Sequence, residues 1–307
     1  MPRIVRVTLK NAPYIAMLVV LAFVPAFIEN RYYIQILVFI GIYIILTLSL
    51  NLLNGYVGLL SIGHAAFYGI GAYASAKLMM ELRLPFLMAM LGAGIIAGFF
   101  GYLIAKPTLR LSGIYMTLST MGFNIILFLI LQNWMSFTNG PMGIMDIPAP
   151  VIFGYEVSSH VDYYYLILIL VLLTLASMYR LIHCRFGRAL KAIRENELAA
   201  EAMGVDTNRY KILAFVLAAF YAGIAGSFYA HFVNFISPDS FYIYESFILL
   251  AMLAFGGQGN LIGPVVGAAT LLVIPEVFRF LQEYRMFVYG GVLIIMMLVR
   301  RQGLLGG

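Results

Sequence analysis

HCRFGRALKAIRENELAAEAMGVDTNRYK, residues 183–211, is rich in Arg, Lys and Glu, and long apolar runs flank it on both sides. It reads as folded structure. Residues 187–194 form one short helical phrase; Asn196 caps a second over residues 197–203, with Glu197 near its positive end and Gly204 just past its finish. Leu198 and Ala202, and Ala199 and Met203, lie four apart, giving that helix a small apolar face. Two helical turns are marginal alone in water, so something must hold the segment.

Outward from it, the chain of 307 residues is 63% hydrophobic and only 10% charged, with mean hydropathy +0.96. Soluble domains are roughly 45–50% apolar and about 25% charged. The composition therefore predicts an all-α integral membrane protein, because the apolar runs are near 20 residues and not the roughly ten of barrel strands. The net charge of +6 is explained by cytoplasmic loops and does not imply nucleic acid. One cysteine, Cys184, excludes an internal disulfide.

About ten transmembrane helices are expected in a single permease domain, residues 1–307. They fall near residues 13–28, 33–53, 65–80, 85–105, 114–132, 163–180, 212–232, 241–255, 261–278 and 286–299. Arg3, Arg6 and Lys10 before the first run imitate a signal peptide, but no A-x-A site closes it. With the N-terminus inside, fourteen of the 19 basic residues lie on inner segments, leaving Arg31, Lys77, Arg83, Arg279 and Arg285 outside. The charge rule then selects N-in and C-in, making residues 183–211 a cytoplasmic loop and residues 133–162 an outer, periplasmic one. Two glycine-dense inner connectors, near Asn54 and Gly257, are short enough to re-enter the membrane.

Chemistry is sparse. No phosphate loop G-x-x-x-x-G-K-[ST] exists, so the chain does not use ATP itself. Around Ser61, Leu59 stands where a nucleophile elbow needs glycine. The four histidines lack metal-ligand spacing, so neither a catalytic nor a metal site is expected. Glu245 and Glu276 sit near the outer ends of their spans, which argues against proton coupling. Candidate translocation-path residues are Asn51, Asn54, Ser61, His64, Thr117, Thr120 and Asn124; Thr117, Thr120 and Asn124 share one helical face. They either line a wet passage or bond across helices. The glycines of the third, fourth and seventh spans suit close helix packing.

Four stretches, in order, carry a resemblance: NLLNGYVGLLSIGHAAFYGIGAYASA (51–76), SGIYMTLSTMGF (112–123) with GPMGI (140–144), GRALKAIRENELAAEAMGVD (187–206) and GGQGNLIGPVVGA (256–268). Together they resemble the LivM-type permease of branched-chain amino acid ABC transporters. The resemblance implies an inner-membrane, multi-pass subunit that forms a heterodimer with a related LivH-type permease. Two cytoplasmic ATP-binding subunits, which hold ATP and Mg, and a periplasmic substrate-binding protein complete the importer; this chain itself holds no cofactor. Permeases of this type also move urea or short amides, and a stand-alone channel or ion-coupled carrier is the reading from another class.

In ABC importers generally, a cytoplasmic loop with the pattern E-A-A-x-x-x-G docks in a groove of the ATPase. Here Ala199, Ala200 and Gly204 match, but Leu198 occupies the glutamate position, with Glu197 one residue earlier. The implied ATPase-coupling set is Arg194, Glu195, Glu197, Leu198, Ala199, Ala200, Glu201, Ala202, Met203 and Gly204. Residues 134–162 and 237–244 are the implied landing surface for the binding protein.

Overall fold

The computed structural model describes residues 30–277 except 112 and 153, together with 25, 287, 290, 291, 294 and 303–305. Apart from those few residues, the expected first and tenth spans lie outside the described residues. Every other expected span coincides with a helix.

The first, α1 (Arg31–Asn51), opens where the Asn30 side chain accepts from the Tyr32 amide at 3.0 Å. It runs on into a π-helical turn, Leu52–Val57, that stops at Gly58 with φ 81°. Then come α2 (His64–Met80), α3 (Phe86–Thr108) and α4 (Ile114–Asn133). The loop after α4 is ordered by a short helix, α5 (Met135–Thr138), and a hairpin of β1 (Val151–Ile152) with β2 (Tyr155–Glu156). Helix α6 (His160–His183) begins at a capping box built by Ser159 and Asp162. The polar island is α7 (Arg185–Glu195) and α8 (Glu197–Ala202). Last come α9 (Thr207–Val233), α10 (Ile243–Gly256) and α11 (Ile262–Val277).

Six segments are long and apolar enough to cross a bilayer by length and composition: Arg31–Val57, Phe86–Thr108, Ile114–Asn133, His160–His183, Thr207–Val233 and Pro238–Gly256. The chain is thus a multi-pass helical membrane protein. At 17 and 14 residues, α2 and α10 are shorter than the roughly 20 needed to cross alone. Their first turns meet at one depth: the Ala65 amide donates to Ser246 Oγ at 3.0 Å, and Ser246 Oγ donates to Asn124 Oδ1 at 3.1 Å. Asn124 is mid-way along α4, and its Nδ2 donates to the Phe241 carbonyl at 3.1 Å. Irregular backbone precedes both helices and is held by these polar side chains.

At the centre, α9 packs against α2 and α3 across small residues. A Cβ on Gly71 would stand 2.2 Å from the Gly223 carbonyl oxygen, and one on Gly226 2.0 Å from that of Tyr68. Only glycine permits these approaches. Near the C-terminal end of α9, buried His231 receives or donates at both ring nitrogens, with Ser75 Oγ at 2.9 Å and the Pro148 carbonyl at 2.8 Å. The Tyr163 hydroxyl donates to the His231 carbonyl at 2.8 Å, and Ile144 bridges to Ile236. The loop after α4 is thereby tied to the end of α9.

Candidate functional site

The island after α6 folds as two helices because of local chemistry. Asn196 interrupts them in extended conformation, and its side chain accepts from the Ala199 amide at 3.0 Å. Gly204, at φ 83°, turns the chain toward α9, where the Asp206 side chain accepts from the Arg209 amide at 3.0 Å. No atom crowds a Cβ at Gly204, so conformation and not space requires glycine there.

One side of α8 is anchored. Buried Lys211 pairs with Glu197, and Thr207 Oγ1 donates to Glu201 Oε1 at 2.6 Å and to Glu197 Oε1 at 3.4 Å. Both glutamates thus bind the helix to the start of α9. The other side is open: Leu198 is 78% and Met203 84% exposed, and Ala199 and Ala202 are exposed beside them. Ala200 departs from the set expected to face a partner. It is 4% exposed and turned into the protein, so a charge there disturbs packing first. Lys211 and Thr207 were not singled out in the sequence; a lysine just inside an apolar run, fourteen residues after a glutamate, was the available signal.

Arg194, at the end of α7, reaches the two glycine-dense connectors. Its Nη1 donates to the Gly55 carbonyl, and its stem lies against Gly58, where a Cβ would stand 3.3 Å from Arg194 Cγ. The connectors also grip each other. Asn51 Nδ2 donates to the Asn260 carbonyl at 2.6 Å, and Asn51 Oδ1 accepts from the Gly259 amide at 3.0 Å. Lys191 lies over the ring of Tyr56, 5.9 Å from its centroid. A movement of α7 therefore bears directly on the end of α1 and the start of α11. Glu195 is exposed beside this junction.

The polar candidates of the spans are all buried. Thr117 Oγ1 donates to the Leu60 carbonyl at 3.0 Å, and Thr120 Oγ1 accepts from the Ile62 amide at 3.1 Å. Asn54 Oδ1 accepts from the Ser61 amide at 3.2 Å, and His64 Nε2 faces Ser49 Oγ at 2.6 Å. Thr117, Thr120 and Asn124 bond to backbone of the connector before α2 and of the turn before α10. Asn54 Nδ2, Ser61 Oγ and His64 Nδ1 keep unused hydrogen-bonding capacity in the interior. Asn260 and Ser246, absent from the sequence-derived candidates, complete the belt. Among the described residues no cluster of His, Cys, Asp or Glu has the makings of a metal site.

Apolar helices crossing a bilayer, breaks stitched together by neutral polar side chains and a protruding apolar helix define a membrane permease component. The chain belongs to the branched-chain amino acid transport system permease family, whose profile matches residues 32–297. It is 37% identical to the high-affinity branched-chain amino acid transport system permease protein LivM of Escherichia coli K12, over 99% of this chain and 77% of that one. The Salmonella typhimurium LivM is 36% identical over the same shares. The Escherichia coli K12 LivH permease is 27% identical over 86% of this chain and 91% of its own. No solved structure matches.

Proposed function

We propose that this chain is the permease subunit of an ATP-binding-cassette importer for leucine, isoleucine and valine. It works in a bacterial inner membrane, N-in and C-in with ten spans, as a non-enzymatic half of a heterodimer with a LivH-type permease. Two cytoplasmic subunits supply ATP and Mg chemistry, and a periplasmic protein delivers substrate. The observation that carries the reading is the exposed Leu198–Met203 face, fastened from behind by Lys211 and Thr207 and joined through α7 to the connectors. A chain with no phosphate loop needs such a handle. ATP-driven closure of the partners moves α8, and Arg194 passes the displacement to the connectors; the difference in docking energy between nucleotide states drives the change.

In proteoliposomes holding all partner subunits, labelled leucine uptake is expected to require ATP and to fall to background with a hydrolysis-deficient ATPase. Uptake persisting with the dead ATPase overturns the coupling, and uptake of urea or a short amide in place of leucine overturns the substrate.

Arg194→Ala separates docking from transmission. The hydrogen bond of a charged group is worth about 1.5–3 kcal/mol. Its loss is expected to lower leucine carried per ATP hydrolysed roughly tenfold, while the ATPases still co-purify. An unchanged transport-to-hydrolysis ratio counts against Arg194 as the link.

A further inference from the structure

Helices α2, α3 and α4 leave a groove of about 480 Å³ between them. That lies within the roughly 300–1,000 Å³ of small-molecule sites. Among the described lining residues only Lys77 and Glu81 carry charge, and the rest are apolar or aromatic. Leu82, Phe100, Ile130 and Trp134 are exposed along it, so the groove is open on one side. Two of its walls, α3 and α4, are among the segments long and apolar enough to cross a bilayer.

A second cavity, of about 490 Å³, adjoins the first, because Lys77 and Glu81 line both. Its other walls come from Met80 and from Asn139, Met142 and Met145 of the loop after α4. The charged pair is fixed at the junction, where α2 ends. Lys77 Nζ donates to Glu81 Oε1 at 2.8 Å and stands 5.1 Å from the centroid of the Phe137 ring. The Glu81 side chain is exposed. An exposed ion pair of this kind is weak by itself, so it opens readily to a third charged group. Between them the two cavities offer one positive charge, one negative charge and a long apolar trough.

We infer that the paired cavities hold a phospholipid of the phosphatidylethanolamine type. One acyl chain fills the groove, the phosphate meets Lys77 and the primary ammonium donates to Glu81. Charge selects this head over its common rivals. A head with net negative charge sets a like charge against Glu81. A trimethylammonium head has no N–H to give the carboxylate, and so forgoes the charge-assisted hydrogen bond. Trp134 at the open side suits the boundary between headgroup and chain, where tryptophan is enriched.

The test uses the protein purified in mild detergent with the subunits that accompany it. It is stripped of lipid and titrated with phosphatidylethanolamine, phosphatidylcholine or phosphatidylglycerol of identical acyl chains, and bound lipid is counted by native mass spectrometry. Phosphatidylethanolamine is expected to bind about tenfold more tightly than either rival, the equivalent of one charge-assisted hydrogen bond. Glu81→Gln is expected to abolish the preference over phosphatidylcholine, and Lys77→Gln to weaken all three lipids about tenfold by the same scale. Ala74→Phe places a ring in the groove and leaves both charges in place; it is expected to lower the occupancy of every lipid. Should Ala74→Phe not fold, Glu81→Gln still decides, since its exposed side chain holds up no packing. Equal binding of the three lipids, tighter binding of phosphatidylglycerol, or an unchanged preference in Glu81→Gln overturns the assignment. So does unchanged occupancy in folded Ala74→Phe, or no lipid bound to the wild type, as when a partner's helix fills the groove.

Discussion

Replacing Leu198 and Met203 together by aspartate is expected to reduce ATP-dependent uptake at least a hundredfold and to release the ATPase subunits on purification. Both side chains stand 78% and 84% clear of the protein, so the substitution removes no contact that holds the membrane helices. Thermal unfolding of the isolated permease should stay within about 2 °C, since exposed substitutions usually cost less than about 0.5 kcal/mol. In a docked groove the same atoms are desolvated, and anchors of this kind are worth about 2 kcal/mol or more each. Two of them give roughly 4 kcal/mol, close to three orders of magnitude in affinity. Normal association and uptake in the double variant would remove α8 from the interface. Ala200→Asp should behave differently, lowering stability as well as transport, because Ala200 faces inward.

Gly226→Val is expected to abolish accumulation of folded protein. A Cβ at this position sits 2.0 Å from the Tyr68 carbonyl and 2.8 Å from the Ala72 amide, both backbone atoms. No rotamer relieves that overlap, so α9 and α2 must part. Parting them also opens the Gly71–Gly223 contact and the Ser227 Oγ to Ser75 Oγ hydrogen bond of 2.7 Å. Overpacking costs about 1–3 kcal/mol where side chains yield, and more where backbone must move. Size-exclusion chromatography with fluorescence detection of detergent-solubilised protein is the measurement. A monodisperse peak at wild-type level would show that these helices tolerate separation. Gly122→Val, in α4 with nothing within 4 Å of its Cβ, serves as the control and should fold normally.

The spans were legible because lipid leaves the chain few options: apolar runs of sufficient length become helices. The second helix of the island was equally plain, since Asn196 and Gly204 mark its ends in the residues themselves. Its inner and outer sides were not. A helix of six residues with apolar groups nearly all round does not declare which face is anchored, and only the Lys211 and Thr207 contacts settle that Ala200 looks inward. The polar residues stand out in the sequence, but their partners are remote. Asn124 answers to Phe241 and Ser246, and Asn51 to Gly259 and Asn260, across separations of more than a hundred residues. Periodicity holds no information about such pairings.

Helix α9 carries a consequence of a different kind. Its 27 residues make a rod of roughly 40 Å at about 1.5 Å per residue. At one end Thr207 and Lys211 hold α8, and at the other His231 holds the loop after α4. In the importer proposed above, the ATPase subunits at α8 and the binding protein at that loop would share one stiff element, and thermodynamic reciprocity would constrain them. Whatever factor by which a protein seated on the outer loop changes nucleotide affinity inside, nucleotide must change that protein's affinity outside by the same factor. The two measurements, made on opposite sides of the membrane, have to agree.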